Sequence, residues 1–378
     1  MRFVILLLIL LTGMLPQASA QQQSASKPSG GFKVVTVVRN LHHPWSVAFL
    51  PDSSFLITER RGRMLLFKND GVTRVIKGLP AIRAERESGL LDVVTDPDFR
   101  KNRTIYFAYT ANGPDGLLMG TEIAKAVLDG TTLKNMKVIF RAEPKTSELT
   151  HFGSRFLFAR DGTLFITIGD HGQYPNPVKS HNAQNPSNTI GTIIRLNRDG
   201  TIPKDNPFVG KRGYRPEIYT YGNRNPQGIA RDPGTGTIWF HEHGPKGGDE
   251  LNILKAGANY GWPAVTYGIN YDGTVITDRR TAPGIEPPVT YWTPCIAPSG
   301  MMIYDGRAFP QWKGNMFIGS LVERHLRRVV LQGNRVTGQQ VLLKGLGERI
   351  RDVRTGPDGF IYVLTDSPNG RLLRLEPR

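Results

Sequence analysis

The chain has 378 residues and a formal net charge of +16, from 48 Lys and Arg against 32 Asp and Glu. Charged residues make up only 21%, Gly and Pro are abundant at 42 and 27, and one Cys rules out an internal disulfide. That mixture points away from helices and towards many turns and short strands around one core large enough to be stabilised by burial alone.

The N-terminus, MRFVILLLILLTGMLPQASA, carries one Arg, an apolar run from Phe3 to Leu11 and the small-residue pattern Ala18-Ser19-Ala20. This predicts a secretory signal peptide over residues 1–20, cleaved after Ala20 and followed by a polar leader over 21–31. The run is shorter than the roughly 20 residues a membrane span needs. No later segment is apolar enough to cross, so the expectation is a soluble, exported protein without a membrane span. Export and the scattered placement of Arg and Lys exclude nucleic acid as partner and leave a generally basic surface.

From Phe32 onwards the chain repeats one grammar six times: an apolar strand, a turn, and a second apolar strand. The units start at Val47, Val93, Phe156, Gly228, Met301 and Val353, with turn residues Pro51, Pro97, Asp161, Pro233, Pro310 and Pro357. Each turn precedes β-branched or aromatic residues, as in Leu164-Phe165-Ile166-Thr167-Ile168. A strand-turn-strand unit recurring at tens of residues indicates an array. The reading is all-β, a six-bladed β-propeller of four-stranded antiparallel blades over 32–378. FKVVTVV, from Phe32 to Val38, lacks a local partner and is expected to close the ring against the C-terminal segment. A decorated β-sandwich is the competing architecture.

In a propeller, polar residues far apart in sequence meet at one end of the channel. His151, before the strand in HFGSRFLF, has the chemistry of a general base near neutral pH or of a capping residue. Asp170, in TIGDHG, can orient that imidazole or serve as a turn residue. Arg224 and Asn225 lie between Gly222 and Pro226, where a constrained guanidinium suits a carboxylate, a phosphate or a quinone oxygen, or an internal salt bridge.

The stretch His241 to Pro263, HEHGPKGGDELNILKAGANYGWP, reads as a long polar loop. Its Gly244-Pro245 turn, Asp249, Glu250, Asn259 and Tyr260 offer the hard oxygen donors that Ca²⁺ accepts. His241 and His243 alternate on a strand, which sends them to opposite faces and disfavours zinc. Cys295, between Pro294 and Ile296, reads as a small buried filler rather than a nucleophile. Arg349 and Arg351 stand two apart on a strand and so share a face, where they repel unless an anion lies between them; a solvated edge strand is the plainer alternative. There is no G-x-G-x-x-G, P-loop or G-x-S-x-G.

GLLDVVTDPDF, HFGSRFLF, YGNRNPQGIA, EHGPKGGDELNI, NYGWPAVTYGINYDG, FPQWKGNMFIGSL and RIRDVRTGPDGFIYVLTD occur in this order. This set resembles the soluble quinoprotein sugar dehydrogenases, in particular the bacterial aldose sugar dehydrogenases that use pyrroloquinoline quinone (PQQ). The resemblance covers about Phe32 to Pro377 and implies a six-bladed propeller with PQQ at the channel mouth. It implies that His151 is the base that takes the anomeric hydroxyl proton, and that Arg224, Asn225, Tyr271, Arg349 and Arg351 contact PQQ. Gly244 and Pro245 would give backbone carbonyls to a cofactor-side Ca²⁺, and Glu250 and Tyr260 would bind a second, structural Ca²⁺. The implied reaction is oxidation of an aldose to a lactone, with electrons passed to an acceptor that the sequence does not name.

Two positions depart from the family pattern. Glu87 stands where Gln is usual, and Val322, followed by Glu323 and Arg324, stands where a cofactor-contacting Lys is common. Those departures and the basic surface motivate a rival reading, a propeller that has lost PQQ and binds a glycan or acidic polymer; a Ca²⁺-dependent sugar lactonase, which shares the propeller and a metal in the channel, is a third possibility. Both a monomer and a homodimer are compatible with the sequence.

Overall fold

The structure is a computed structural model that describes residues 31–68, 70–175 and 180–378. The expected signal peptide, and all of the leader except Gly31, lie outside the described residues. The first strand, β1 (Phe32–Leu41), is far in sequence from its eventual partner. The first blade then follows as β2 (Pro44–Phe49), β3 (Phe55–Glu59), β4 (Arg63–Phe67) and β5 (Thr73–Val75). Blade two is β6 (Leu90–Thr95), β7 (Thr104–Asn112), β8 (Met119–Asp129) and β9 (Thr132–Arg141), with the single short helix α1 (Phe99–Asn102) in its first turn. Blade three is β10 (Phe156–Phe158), β11 (Leu164–Ile168), β12 (Thr192–Leu196) and β13 (Ile218–Tyr221). Blade four is β14 (Pro226–Arg231), β15 (Ile238–Glu242), β16 (Asp249–Ile253) and β17 (Thr290–Trp292). Blade five is β18 (Pro298–Ile303), β19 (Met316–Ser320), β20 (Leu326–Gln332) and β21 (Arg335–Leu342), and β22 (Ile350–Thr355), β23 (Ile361–Thr365) and β24 (Gly370–Pro377) begin blade six.

Each sheet is four-stranded and antiparallel, and the sixth is completed by β1, which pairs with β24 from Phe32↔Pro377 to Leu41↔Gly370. The ring is therefore closed by the two ends of the chain, as the unpartnered FKVVTVV predicts. The first strands of successive blades touch all the way round, β2 to β6, β10, β14, β18, β22 and back to β2. This is a six-bladed propeller and not a sandwich. All six turn residues of the repeat lie between the first and second strands of their blades.

Inner strands are apolar on both faces because each blade is covered by two neighbours. Leu164 to Ile168 of β11 are all buried, which explains a continuous apolar run where half-exposed strands alternate. Between blades two and three, Leu91, Tyr106, Phe156, Ile166 and Ile194 pack into one cluster. Between blades one and two, Leu56, Leu66, Leu90 and Phe107 do the same. Each such side chain contributes about 1.5–3 kcal/mol on burial, the source of stability in a chain with no disulfide.

The channel centre carries charge that the sequence reading missed. Arg155 lies between Asp352 (3.1 Å) and Asp92 (3.6 Å), and Arg354 reaches Asp92 and Asp352 at 3.0 Å each. The Arg155 guanidinium also sits 3.9 Å from the Trp45 ring centroid. Among the described residues no helix is long and apolar enough to cross a membrane.

Candidate active site at the mouth of the channel

Strands in each blade alternate in direction, so the start of the first strand and the end of the second lie at the same end of the ring. Glu87, His151, Arg224, Ala297 and Arg349 come shortly before first strands, and Arg60, Asp170, Gly244 and Asp366 come shortly after second strands. All of them face one mouth.

A belt of hydrogen bonds runs round it. The Glu87 carboxylate accepts the His151 backbone N–H at 3.0 Å. The Asp170 N–H donates to the Arg224 carbonyl (2.7 Å), and Arg224 Nη1 donates to the Gly244 carbonyl (2.8 Å). The Gly247 N–H reaches Cys295 Sγ at 3.0 Å, and the Leu321 N–H reaches the Ala297 carbonyl at 3.0 Å. Arg349 Nη1 donates to Leu321 (3.3 Å), the Asp366 N–H to Arg349 (2.9 Å), and His43 Nδ1 meets Asp366 Oδ1 at 2.9 Å. The Arg60 N–H bonds His43 (3.1 Å) and the Leu90 N–H bonds Arg60 (2.9 Å), which returns the belt to the Glu87 segment. His43, Arg86, His151, His171, Ala297 and Arg324 take positive φ of 45–59° around this mouth, backbone strain of the kind that gathers at functional sites.

His151 Nδ1 lies 2.6 Å from Asp170 Oδ1. The buried Asp170 is fixed on its other oxygen by Trp262 Nε1–H at 2.7 Å, and Gly172 N–H donates to Oδ1 at 2.8 Å. Burial opposes the Asp170 charge, but His151, Arg224 and His181 outweigh it and hold the carboxyl below its ordinary value. An ionised carboxylate only accepts, so His151 Nδ1 donates to it. Gly169 makes this geometry possible, since a Cβ there would stand 1.9 Å from the His151 carbonyl oxygen.

Arg224 lies over Trp262, 5.2 Å from the ring centroid, with its backbone N–H held by Glu242 and Nη1 by the His243 and Gly244 carbonyls. Its Nε is buried without a partner. Asn225 turns its side-chain oxygen to Gly153 N–H and Gln227 Nε2, both at 3.2 Å.

Arg349 and Arg351 do share an anion, but it is a carboxylate of the chain. Arg351 Nη2 lies 2.7 Å and Arg349 Nε 3.8 Å from Asp366 Oδ2. Strand alternation is not what unites them: Arg349 precedes β22, and the register shifts between Ile350 and Asp352. The solvated-edge alternative fails, because β22, though it ends its sheet, is largely buried against β2 and β18 at the channel. Burial works against the Asp366 charge, yet Arg351, His43 and Arg60 hold its carboxyl far below the usual range. Arg351 Nε is buried and unpaired, as is Arg224 Nε, so the mouth offers spare donors.

The stretch from His241 is not a loop: it holds the end of β15 and all of β16. Asp249 clasps it, accepting Gly244 N–H (2.9 Å), Ile296 N–H (2.7 Å) and Ala297 N–H (2.8 Å). His241 and His243 each turn Nε2 to a carbonyl, of Ser299 and Pro298, and burial pushes both down to about 3, so both stay neutral. Among the described residues no three His, Cys, Asp or Glu side chains group to hold a metal. Hard-cation chemistry there falls to backbone carbonyls instead, and those of Gly244 and Pro245 each accept one bond and keep a second lone pair.

Glu250 faces Glu242 across β15 and β16. Burial raises both carboxyls; the Asp170 charge adds to the rise of Glu242, which is pushed up to about 7, and the Glu242 and Asp249 charges add to that of Glu250. A buried acid pair of this kind suits a cation. Glu250 and Tyr260 line a cavity of about 120 Å³ with Tyr267, Arg280 and Glu286. The Tyr260 hydroxyl donates to the Ile253 carbonyl and accepts Lys255 N–H, which leaves its backbone carbonyl as the donor it could give a cation.

Other expectations fare differently. Tyr271 is exposed in a turn, near the Lys246–Ile269 bridge, and no described contact joins it to the belt. Val322 is exposed too; it and Arg324 lie in the connection between β19 and β20, so strand alternation does not set their directions. Cys295 is a polar member of the belt rather than an apolar filler, donating to the Pro245 carbonyl at 3.0 Å. Trp262, Arg60, Asp366 and Gln227 were not anticipated. The sequence signal for Trp262 and Asp366 lay in the quoted NYGWP and VLTD, without a role attached.

The family model for glucose/sorbosone dehydrogenases matches residues 41–374, and the chain belongs to that family, an oxidoreductase family. It is 43% identical to the aldose sugar dehydrogenase YliI of Escherichia coli over 344 residues, 89% of this chain and 91% of the relative. The solved apo form of the soluble aldose sugar dehydrogenase from Escherichia coli superposes with a TM-score of 0.87 at 41% identity, covering 92% of this chain and 100% of that one. A PQQ-bound aldose sugar dehydrogenase from Streptomyces coelicolor superposes with a TM-score of 0.74 at 25% identity, covering 93% and 100%.

Proposed function

We propose that this protein is an exported, periplasmic sugar dehydrogenase that uses PQQ and Ca²⁺ to oxidise aldoses at the anomeric carbon to lactones. The observation that carries this reading is the His151–Asp170 pair at 2.6 Å in one hydrogen-bonded belt with the unpaired Arg224 Nε. Arg224, Asn225, Tyr271, Arg349 and Arg351 would hold the tricarboxylate. The spare guanidinium donors suit three carboxylates. Gly244 and Pro245 carbonyls would hold one Ca²⁺ beside it, and Glu250 with the Tyr260 carbonyl a second. When bound, PQQ with its Ca²⁺ supplies a two-electron acceptor whose oxygens a Lewis acid polarises.

The chain's own residues do the rest. His151 takes the anomeric hydroxyl proton on Nε2, because Asp170 fixes the other proton on Nδ1. Asp170 stabilises the imidazolium that results, and Trp262 keeps Asp170 in place. Arg224 presents fixed positive charge where negative charge develops, with no reorganisation at the moment of reaction. The anomeric carbon's hydrogen, with its electron pair, would go as hydride to the quinone these residues would hold, from which the two electrons would pass to an external acceptor.

Of the rivals, the glycan or acidic-polymer binder rested on Glu87 and Val322. Glu87 is engaged with His151, which removes part of that motive, and no specific contact favours the lactonase. Reconstituting the apoprotein with PQQ and Ca²⁺ and following dye reduction by aldoses tests the proposal. Lactone hydrolysis without quinone, or no PQQ binding by calorimetry, overturns it.

A further inference from the structure

Glu87 presents a puzzle: a carboxylate at the mouth opposes any anionic ligand there. Its surroundings give it another task. Its oxygen accepts the His151 backbone N–H at 3.0 Å, while its own N–H is tied to the Leu149 carbonyl at 3.2 Å, so the Glu87 segment grips the residues before β10 from two sides. His151 needs that grip. Its φ of 57° is unfavourable for a non-glycine residue, and its imidazole must meet Asp170 at 2.6 Å.

We infer that Glu87 is a positioning residue for His151, holding the backbone before β10 in its strained conformation. The inference rests on His151 being the base. A displacement of about 1 Å in a catalytic group can cost on the order of 100-fold in rate. Glu87→Ala should lower kcat about 10- to 100-fold with KM for the sugar nearly unchanged, and Glu87→Gln, which keeps an acceptor oxygen, should restore most of it.

Hydrogen exchange at the His151 amide in the apoprotein gives a readout independent of turnover. It should accelerate in Glu87→Ala and stay slow in Glu87→Gln. If Glu87→Ala lowers kcat while the His151 amide exchanges as before, Glu87 acts directly on a ligand and the positioning role is wrong. If neither changes, it is wrong as well. If no variant and no wild-type protein oxidises an aldose, the base assignment falls, and the exchange result alone decides whether Glu87 holds that backbone.

Discussion

Replacing Asp170 by Asn leaves the shape of the site almost unchanged and removes one charge. In the native protein Asp170 Oδ1 lies 2.6 Å from His151 Nδ1, with both side chains largely buried. Unit charges about 4 Å apart attract by about 4 kcal/mol at an effective dielectric constant of about 20. That attraction exists only after His151 has taken a proton, so it lowers the barrier rather than tightening substrate binding. At about 1.36 kcal/mol per tenfold, its loss predicts a fall in kcat of about 1000-fold with KM little changed. An amide that keeps its oxygen towards Trp262 Nε1 also turns its NH₂ towards His151 Nδ1, which favours the wrong tautomer. The assay is steady-state dye reduction by saturating aldose with PQQ- and Ca²⁺-loaded protein, beside a thermal melt that verifies folding. A folded Asp170→Asn protein that keeps more than about a third of wild-type kcat would refute the dyad.

Four further outcomes follow from the same geometry. Asp366 has a depressed carboxyl pKa, so its stabilisation is complete above the ordinary value of 3.8 and is lost as pH falls below it; Asp366→Asn should flatten the acid limb of stability below about pH 4, read by denaturant midpoints. Millimolar CaCl₂ should raise the melting temperature of the apoprotein and chelator should reverse it, by mass action on the native state, and Glu250→Gln should remove most of that rise. Gly169→Ala drives a methyl group to 1.9 Å from the His151 carbonyl; it should cost about 1–3 kcal/mol of stability as overpacking does, and depress kcat in whatever protein still folds. Cys295, whose thiol is pushed up to about 12 by burial and by Asp249, should resist iodoacetamide at pH 8 in the native protein and react on unfolding, as intact-mass measurements would record.

Much of the architecture was legible because it depends on local patterning. The six turns at Pro51, Pro97, Asp161, Pro233, Pro310 and Pro357 each break a chain that must reverse after a short apolar strand, and each marks a real blade. The isolated FKVVTVV announced a strand without a neighbour, and β24 supplies one. Local rules failed where the backbone stops being regular. Arg349 and Arg351 were paired by strand alternation, whereas a bulge and the distant Asp366 bring them together. The polar stretch from His241 looked like a loop because β16, read as DELNI, carries buried carboxylates that a strand normally excludes.

The sequence by itself determined the repeat, the closure and the polar residues beside the first strands β6, β10, β14 and β22, since these depend on near neighbours in the chain. Only the tertiary structure decided which of them touch. Trp262 reaches Asp170 across 92 residues, and Arg155 finds Asp352 across the channel. A buried charge must be met by whatever group the closed ring brings within about 3 Å, and neither pattern nor spacing encodes that partner.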